Sequence, residues 1–300
     1  MNSIYRIVGL SKQGFHLKLN LKKNKEELNA PLLKILQEVR YDHPCMSMRK
    51  MYYYILPEHL GRDAFEHFCK LNNLEAKIYK SFIRTTNSSG VKRFNNSICG
   101  IEVTGVNQVF VSDITYYRVN NNFHYITLIM DLYSRKIVGY CASKDLRALN
   151  TTIKALNKLK KSVNKENIKD AIIHSDGGGQ YYSDEFLKLT KKLNLTNSMA
   201  YSVFENSHAE RLNGTIKNEY LQFSYIDSFS KLEKELYKAV YKYNNEIPHL
   251  KLNYITPNDF YEKSLKGEMN KKMKVSDYQE INFLDYKYKD KTNFTSVKGI

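Results

Sequence analysis

The chain changes its hydrophobic period once, and that change divides it. In the first 84 residues apolar side chains recur every three or four positions, whereas from residue 109 onward they alternate or run together as strands do. Leu28, Leu32, Leu33, Leu36 and Val39 mark an amphipathic helix over 26–40, which Pro44 interrupts. A helix over 46–55 follows, and after Pro57 and Gly61 another begins near Asp63, with Phe65, Phe68 and Cys69 at i, i+3 and i+4. The segment 4–19 adds one more helix, opening after a turn at Ser11. Residues 85–97 are nearly all small or polar, the composition of a connector. Beyond them 109–116, 123–131 and 137–142 read as an antiparallel meander. A helix over 147–161, a short apolar strand at 171–173 and a helix over 184–193 complete an α/β order with a mixed sheet. The expected organisation is a helical module at 1–84, a linker at 85–100, an α/β core at 101–262 and a Lys-rich extension at 263–300.

Charge narrows the partner. The 300 residues carry 47 Lys+Arg against 31 Asp+Glu, a net of +16, and 17 of the basic but only 8 of the acidic residues fall in the first hundred. Such an excess asks for an acidic partner, nucleic acid or an anionic surface. At 42% hydrophobic the chain is not of disordered composition. Its most continuous apolar run, 125–130, is far short of the roughly 20 residues of a membrane span. Cys45, Cys69, Cys99 and Cys141 are scattered without a C-x-x-C, which fits reduced thiols and a cytoplasmic setting.

Three carboxylates stand out. Asp113 interrupts a β-prone run, where Asp is disfavoured; it marks either a site or a solvent-facing edge strand. Asp176 follows an apolar strand and precedes three glycines, where α/β sheets present ligand sites, although Asp-Gly is also an ordinary turn pair. Glu210 closes Ser207-His-Ala-Glu210, which has capping-box form. On a helical wheel of about 100° per residue, however, Gly214 and Lys217 lie within about 40° of Glu210, while Leu212, Ile216, Tyr220 and Phe223 form a separate apolar stripe. Carboxylates without a cluster of His or Cys are hard oxygen donors suited to Mg²⁺ or Mn²⁺ rather than zinc. Paired ions of that kind promote phosphodiester displacement. The pairs His43-x-Cys45 and His67-x-Cys69 lack the usual zinc-ligand spacing.

In this order the motifs resemble those of the transposases encoded by the second reading frame of two-frame bacterial insertion sequences, which have a retroviral integrase-like core. Gln108-Val-Phe-Val-Ser-Asp113-Ile-Thr-Tyr is similar to the first catalytic strand, and Asp131-Leu-Tyr-Ser-Arg-Lys-Ile-Val-Gly-Tyr140 to the hairpin after it. His174-Ser-Asp176-Gly-Gly-Gly-Gln-Tyr181 resembles the second aspartate motif, and Glu205-Asn-Ser-His-Ala-Glu210-Arg-Leu-Asn-Gly-Thr-Ile-Lys217-Asn-Glu the glutamate helix. Tyr243-Asn-Asn, His249 and Thr256-Pro-Asn-Asp-Phe260 resemble the closing motif. The chain departs from the family in having Ile247 before Pro-His, no Trp, and a shorter separation of Asp176 from Glu210, placed at 199–206. The resemblance implies an RNase H-like core with a five-stranded mixed sheet behind a helix-turn-helix-like module. It also implies Asp113, Asp176 and Glu210 as a catalytic triad binding two Mg²⁺ or Mn²⁺ ions, and DNA 3′-end cleavage with strand transfer. Lys217 and Arg211 are expected to steer the DNA backbone, and Arg49, Lys50 and Arg62 to contact phosphates from the helical module. The expected partners are element-end and target DNA, further copies of the chain on DNA, and the upstream reading-frame product, all in the bacterial cytoplasm at the nucleoid. The competing readings are an end-binding regulator that does not cut and a structure-selective nuclease.

Overall fold

The computed structural model describes residues 11–77, 93–163, 165–168, 170–269 and 272–275, together with Gly9. The segment 4–8, the first half of the expected linker and residues 276–300 lie outside that set. The described residues form two compact units, one within Met1–Lys80 with Ile247–Tyr254, the other within Ser81–Glu246 and Ile255–Ile300.

The first unit holds α1 (Lys12–Asp42), α2 (Met48–Ile55) and α3 (Arg62–Leu71). Helix α1 is one element of 31 residues rather than two, capped by Ser11, whose hydroxyl accepts from the Gly14 N–H at 3.0 Å. The residues between the two expected helices, 20–25, are mostly Lys and Asn and carry no apolar stripe; they extend a helix already started on one side, for which no new nucleus is needed. The helix stops before Pro44, since a residue preceding proline is disfavoured in the α region. Arg40 clasps the turn that follows. Its guanidinium donates to the carbonyls of His43, Pro44, Met46 and Leu74 at 2.7–3.2 Å. Leu36, Met51, Phe65 and Cys69 are wholly buried, and Tyr53 stacks on Tyr254 with centroids 3.8 Å apart.

In the second unit β2 (Val109–Val119), β3 (Asn122–Asp131), β4 (Ile137–Ser143), β5 (Ile172–Ser175) and β6 (Thr196–Met199) form a sheet in the order β4-β3-β2-β5-β6. The first three are antiparallel, and β5 and β6 run parallel to β2. Strand β2 is therefore central, which removes the edge-strand reading of Asp113. Strand β6 went unread because Thr-Asn-Ser-Met has no alternation; it pairs at the sheet edge, where the buried His174 ring lies 2.9 Å from the Ser198 hydroxyl. Helices α4 (Thr152–Ser162) and α5 (Asp184–Lys192) share a core with the sheet around Phe110, Ile129, Leu156, Leu159 and Phe186. Helix α6 (Ser207–Thr215) packs on β2 and β3, and α7 (Phe229–Asn245) on β4. A two-residue strand β1 (Glu102–Val103) pairs with β7 (Met273–Lys274), so part of the expected extension is a strand.

The closing motif is structural. Asn244 spans the backbone of Ile137, accepting from its N–H and donating to its C=O, both at 2.9 Å, while Thr256 caps α8 (Pro257–Leu265). Asn244→Ala would strip both bonds from a buried strand end. It is expected to cost about 3 kcal/mol in urea unfolding, because a lost donor and a lost acceptor each cost about 1–3 kcal/mol when buried.

Candidate active site

Strand register brings the two aspartates together. Ser112 pairs with Ser175 across the parallel β2–β5 ladder, and the next residue on each chain is Asp113 and Asp176. Tyr181 reinforces this junction: its buried hydroxyl lies 2.8 Å from Ser112 Oγ, tying the loop after β5 to β2. Asp176 itself makes an Asx turn, Oδ1 accepting from Gly178 N–H at 3.2 Å, so the turn reading and the site reading are both true of it.

Glu210 comes from α6. Asn206, not Ser207, is the N-cap residue, so the expected capping box does not form and Glu210 is left exposed in the helix's first turn. Asn206 instead donates from Nδ2 to the Ser112 carbonyl at 3.0 Å, pinning the helix start beside Asp113. The shortened 199–206 stretch is a brief turn and a 3-10 segment, Val203–Asn206, leading directly into α6.

The helix then widens into a π segment, Ile216–Tyr220. Ile216, Tyr220 and Leu221 are buried, whereas Phe223 is only half-buried; the wider turn passes the last place in the apolar stripe to Leu221. A ladder joins this helix to alternate residues of β2. Asn213 Nδ2 donates to Asp113 Oδ2 at 2.8 Å, Lys217 Nζ to Thr115 Oγ1 at 3.1 Å, and Tyr117 OH to the Leu221 carbonyl at 3.2 Å. Two strand residues advance about 6.7 Å and four helical residues about 6.0 Å, so the two periods nearly keep step.

The electrostatics follow from burial. The Asp113 carboxyl is pushed up to about 7, first by burial and next by Asp176, with Glu210 adding to it and with Ile114 N–H and Asn213 opposing. Asp176 is raised by burial, and Glu210 by burial and by Asp176. Lys217 is lowered by burial and partly restored by Asp113. The triad is thus close enough to interact. Among the described residues, though, no three His, Cys, Asp or Glu side chains are gathered tightly enough to clasp an ion as placed. The donor set still fits a hard divalent cation: it is all carboxylate, it is partly desolvated, and beside Asp113 the buried Asn213 Oδ1 has no protein partner.

Asn206, Asn213, Thr115 and Tyr181 were missed in the sequence. Asn213 was legible, three residues beyond Glu210 and so about 60° from it on the wheel; the others depend on register. Arg211 is exposed beside Glu210. In the helical unit Arg49 pairs with Glu66 at 3.0 Å and Arg62 with Asp63 at 2.9 Å, both exposed, while Lys50 contributes its backbone N–H to the Ser47 cap.

Two models of the integrase core domain match this chain, at residues 103–201 and 191–257, together just over half of it. It is 26% identical over 188 residues to the transposase for insertion sequence element IS904 of Lactococcus lactis subsp. lactis (strain IL1403), covering 61% of this chain and 71% of that protein. It is 29% identical over 211 residues to the insertion element IS600 31 kDa protein of Shigella sonnei, covering 68% and 76%. Among solved structures it is similar to the HTLV-2 integrase catalytic core domain in complex with magnesium, at 22% identity and a TM-score of 0.39, covering 46% of this chain and 87% of that one. The BIV integrase catalytic core is another, at 17% identity and a TM-score of 0.41, covering 54% and 98%. The chain belongs to the insertion-sequence transposases with an integrase core domain and is a polynucleotidyl transferase. Among the described residues no helix is long and apolar enough to cross a membrane.

Proposed function

We infer that the core cleaves DNA at the ends of an insertion element to free a 3′-hydroxyl and joins that hydroxyl to target DNA. The observation that carries the reading is the meeting of Asp113, Asp176 and Glu210, from a central strand, a strand end and a helix, near enough that the charge of Asp176 raises both of the others. These three carboxylates would hold two Mg²⁺ or Mn²⁺ ions. Such ions would supply polarisation of the scissile phosphate and activation of the attacking oxygen.

The chain's own groups do the positioning. Asn213 fixes one Asp113 oxygen, Lys217 sets an ammonium against Asp113 from the Thr115 side, and Arg211 offers an exposed guanidinium to the DNA backbone. Arg49, Lys50 and Arg62 serve the helical module at 1–84 as phosphate contacts, so binding weakens steeply with salt. The protein works in the bacterial cytoplasm at the nucleoid, as copies assembled on element ends, alone or with the upstream reading-frame product. The test is strand transfer by the purified chain on duplexes carrying the element's terminal repeat in Mg²⁺. Hydrolysis without joining would favour a nuclease instead. Asn213→Ala is expected to weaken Mn²⁺ binding by about 10–100-fold in titration calorimetry, the usual effect of removing a group that orients a metal ligand.

A further inference from the structure

Three carboxylates on separate elements need three separations held, and the bonds described above hold two. The β2–β5 ladder and Tyr181 on Ser112 keep Asp113 beside Asp176, while Asn206 and Asn213 keep α6 beside Asp113. On the third side the Asp176 carboxylate bonds to Gly178 within its own turn. What connects β5 to the approach of α6 is the residue two before Asp176. His174 is wholly buried and pairs with Val111 in the parallel ladder. Val111 and Asp113 are alternate residues of β2, so the His174 ring stands on the triad's face of the sheet, one pleat behind it. Its Nδ1 lies 2.9 Å from Ser198 Oγ on β6, and Ser198 Oγ in turn accepts from the Ser97 N–H at 2.8 Å. The ring also approaches the backbone of Glu205, in the 3-10 segment that runs directly into α6. That segment is braced from its other side, where the Glu205 carboxylate accepts from the Tyr201 N–H at 2.6 Å. Nε2 of His174 is buried without a hydrogen-bond partner, a cost that Leu or Phe at the end of the apolar run Ala171-Ile-Ile would not carry.

We propose that His174 is a positioning residue that sets the separation of Asp176 from Glu210, and with it the fit of the triad to its cations. The proposal rests on the metal-dependent DNA-joining reading above. Ser198 fixes the tilt of the ring, and the tilted ring props the segment 203–206 at a set height above the end of β5. Glu210 lies in the first turn of the helix that this segment starts, so a change in that height moves its carboxylate relative to Asp176. Asn206 restrains the same helix toward β2, which leaves the β5 side to His174. Groups that orient metal ligands without touching the ion commonly change affinity by about 10–100-fold.

The test uses the full chain, with Mn²⁺ alone as the probe in titration calorimetry and strand transfer on an element-end duplex as the second readout. His174→Gln places its amide near the position of Nε2 and leaves nothing at Nδ1. It is expected to weaken Mn²⁺ binding about tenfold and to lower kcat while KM for DNA is unchanged. His174→Asn places an amide where Nδ1 stood, and is expected to bind Mn²⁺ within about twofold of wild type. Asn is the smaller side chain and leaves the larger void, so it is expected to melt lower than Gln. Affinity and melting temperature therefore rank the two variants in opposite orders. Ser198→Ala combined with His174→Gln is expected to be no worse for Mn²⁺ than the worse single change, since both break one contact. Mn²⁺ affinity that follows melting temperature across the variants, or wild-type affinity in His174→Gln, would overturn the proposal. A wild type that binds Mn²⁺ with this dependence on His174 but transfers no strand would count against the DNA-joining reading alone.

Discussion

Asp113→Asn and Glu210→Gln, each made singly, are expected to lower strand transfer by about three orders of magnitude or more while leaving the fold intact. Each change swaps a charged oxygen donor for a neutral amide of the same shape, so the loss falls on cation binding and on stabilisation of charge at the reacting phosphate. Stability should move the other way at Asp113. The folded carboxyl is pushed up to about 7, above its value in the unfolded chain, so its neutral form favours the fold and its charged form opposes it. In metal-free buffer near pH 8, where the carboxylate is charged, Asp113→Asn is expected to melt at the wild-type temperature or above. Full strand transfer by either variant would sink the triad assignment. A melting temperature well below wild type would show that the amide disturbs the packing and would make the activity loss uninformative.

Gly139→Ala is expected to damage the fold about as much as Asn244→Ala, by crowding rather than by lost hydrogen bonds. A Cβ at this position on β4 would lie 2.5 Å from the Ala155 carbonyl oxygen and 3.1 Å from Ile129 Cδ1. The nearer obstacle is helix backbone, which cannot rotate aside as a side chain can; α4 has to lift from the sheet over the buried Leu156 and Leu159. Overpacking of this kind costs about 3 kcal/mol. For a unit of this size that is a fall of about 10 °C in melting temperature, measurable by thermal unfolding followed by circular dichroism. No fall would mean that α4 glides on β4 at little cost.

What the sequence disclosed and what it hid separate along physical lines. The three β2–β4 strands, α4 and α5 were legible because each carries a complete apolar period of its own. Strand β6 was not, since its four residues are held by pairing with β5 and by His174 rather than by burial of an apolar face. The unity of α1 was hidden for a related reason: helix propagates through residues that lack a stripe. At the site, residue type singled out Asp113, because a charged residue in a β-prone run needs a reason, while Asp176 and Glu210 were singled out by the glycines after one and the helix face of the other. Their orienting partners could not be seen the same way. Ser112, Asn206 and Thr115 look like ordinary polar residues until the β2–β5 register and the start of α6 put them against Asp113 and Lys217. The capping-box pattern around Glu210 pointed elsewhere because the helix begins one residue earlier than that pattern requires.

The π segment after α6 is also a point of mechanical adjustment. A widened turn holds one residue more than an α-turn and tolerates its gain or loss without unravelling its neighbours. Placed between Asn213 and Leu221, it works like a vernier on the strand beside it. Substitution or slippage confined to Ile216–Tyr220 can re-aim the ammonium of Lys217 while Glu210 and Asn213 stay where Asp113 needs them. One end of the helix can thus shift the Lys217 ammonium on Thr115 without moving the residue that meets Asp113 at the other.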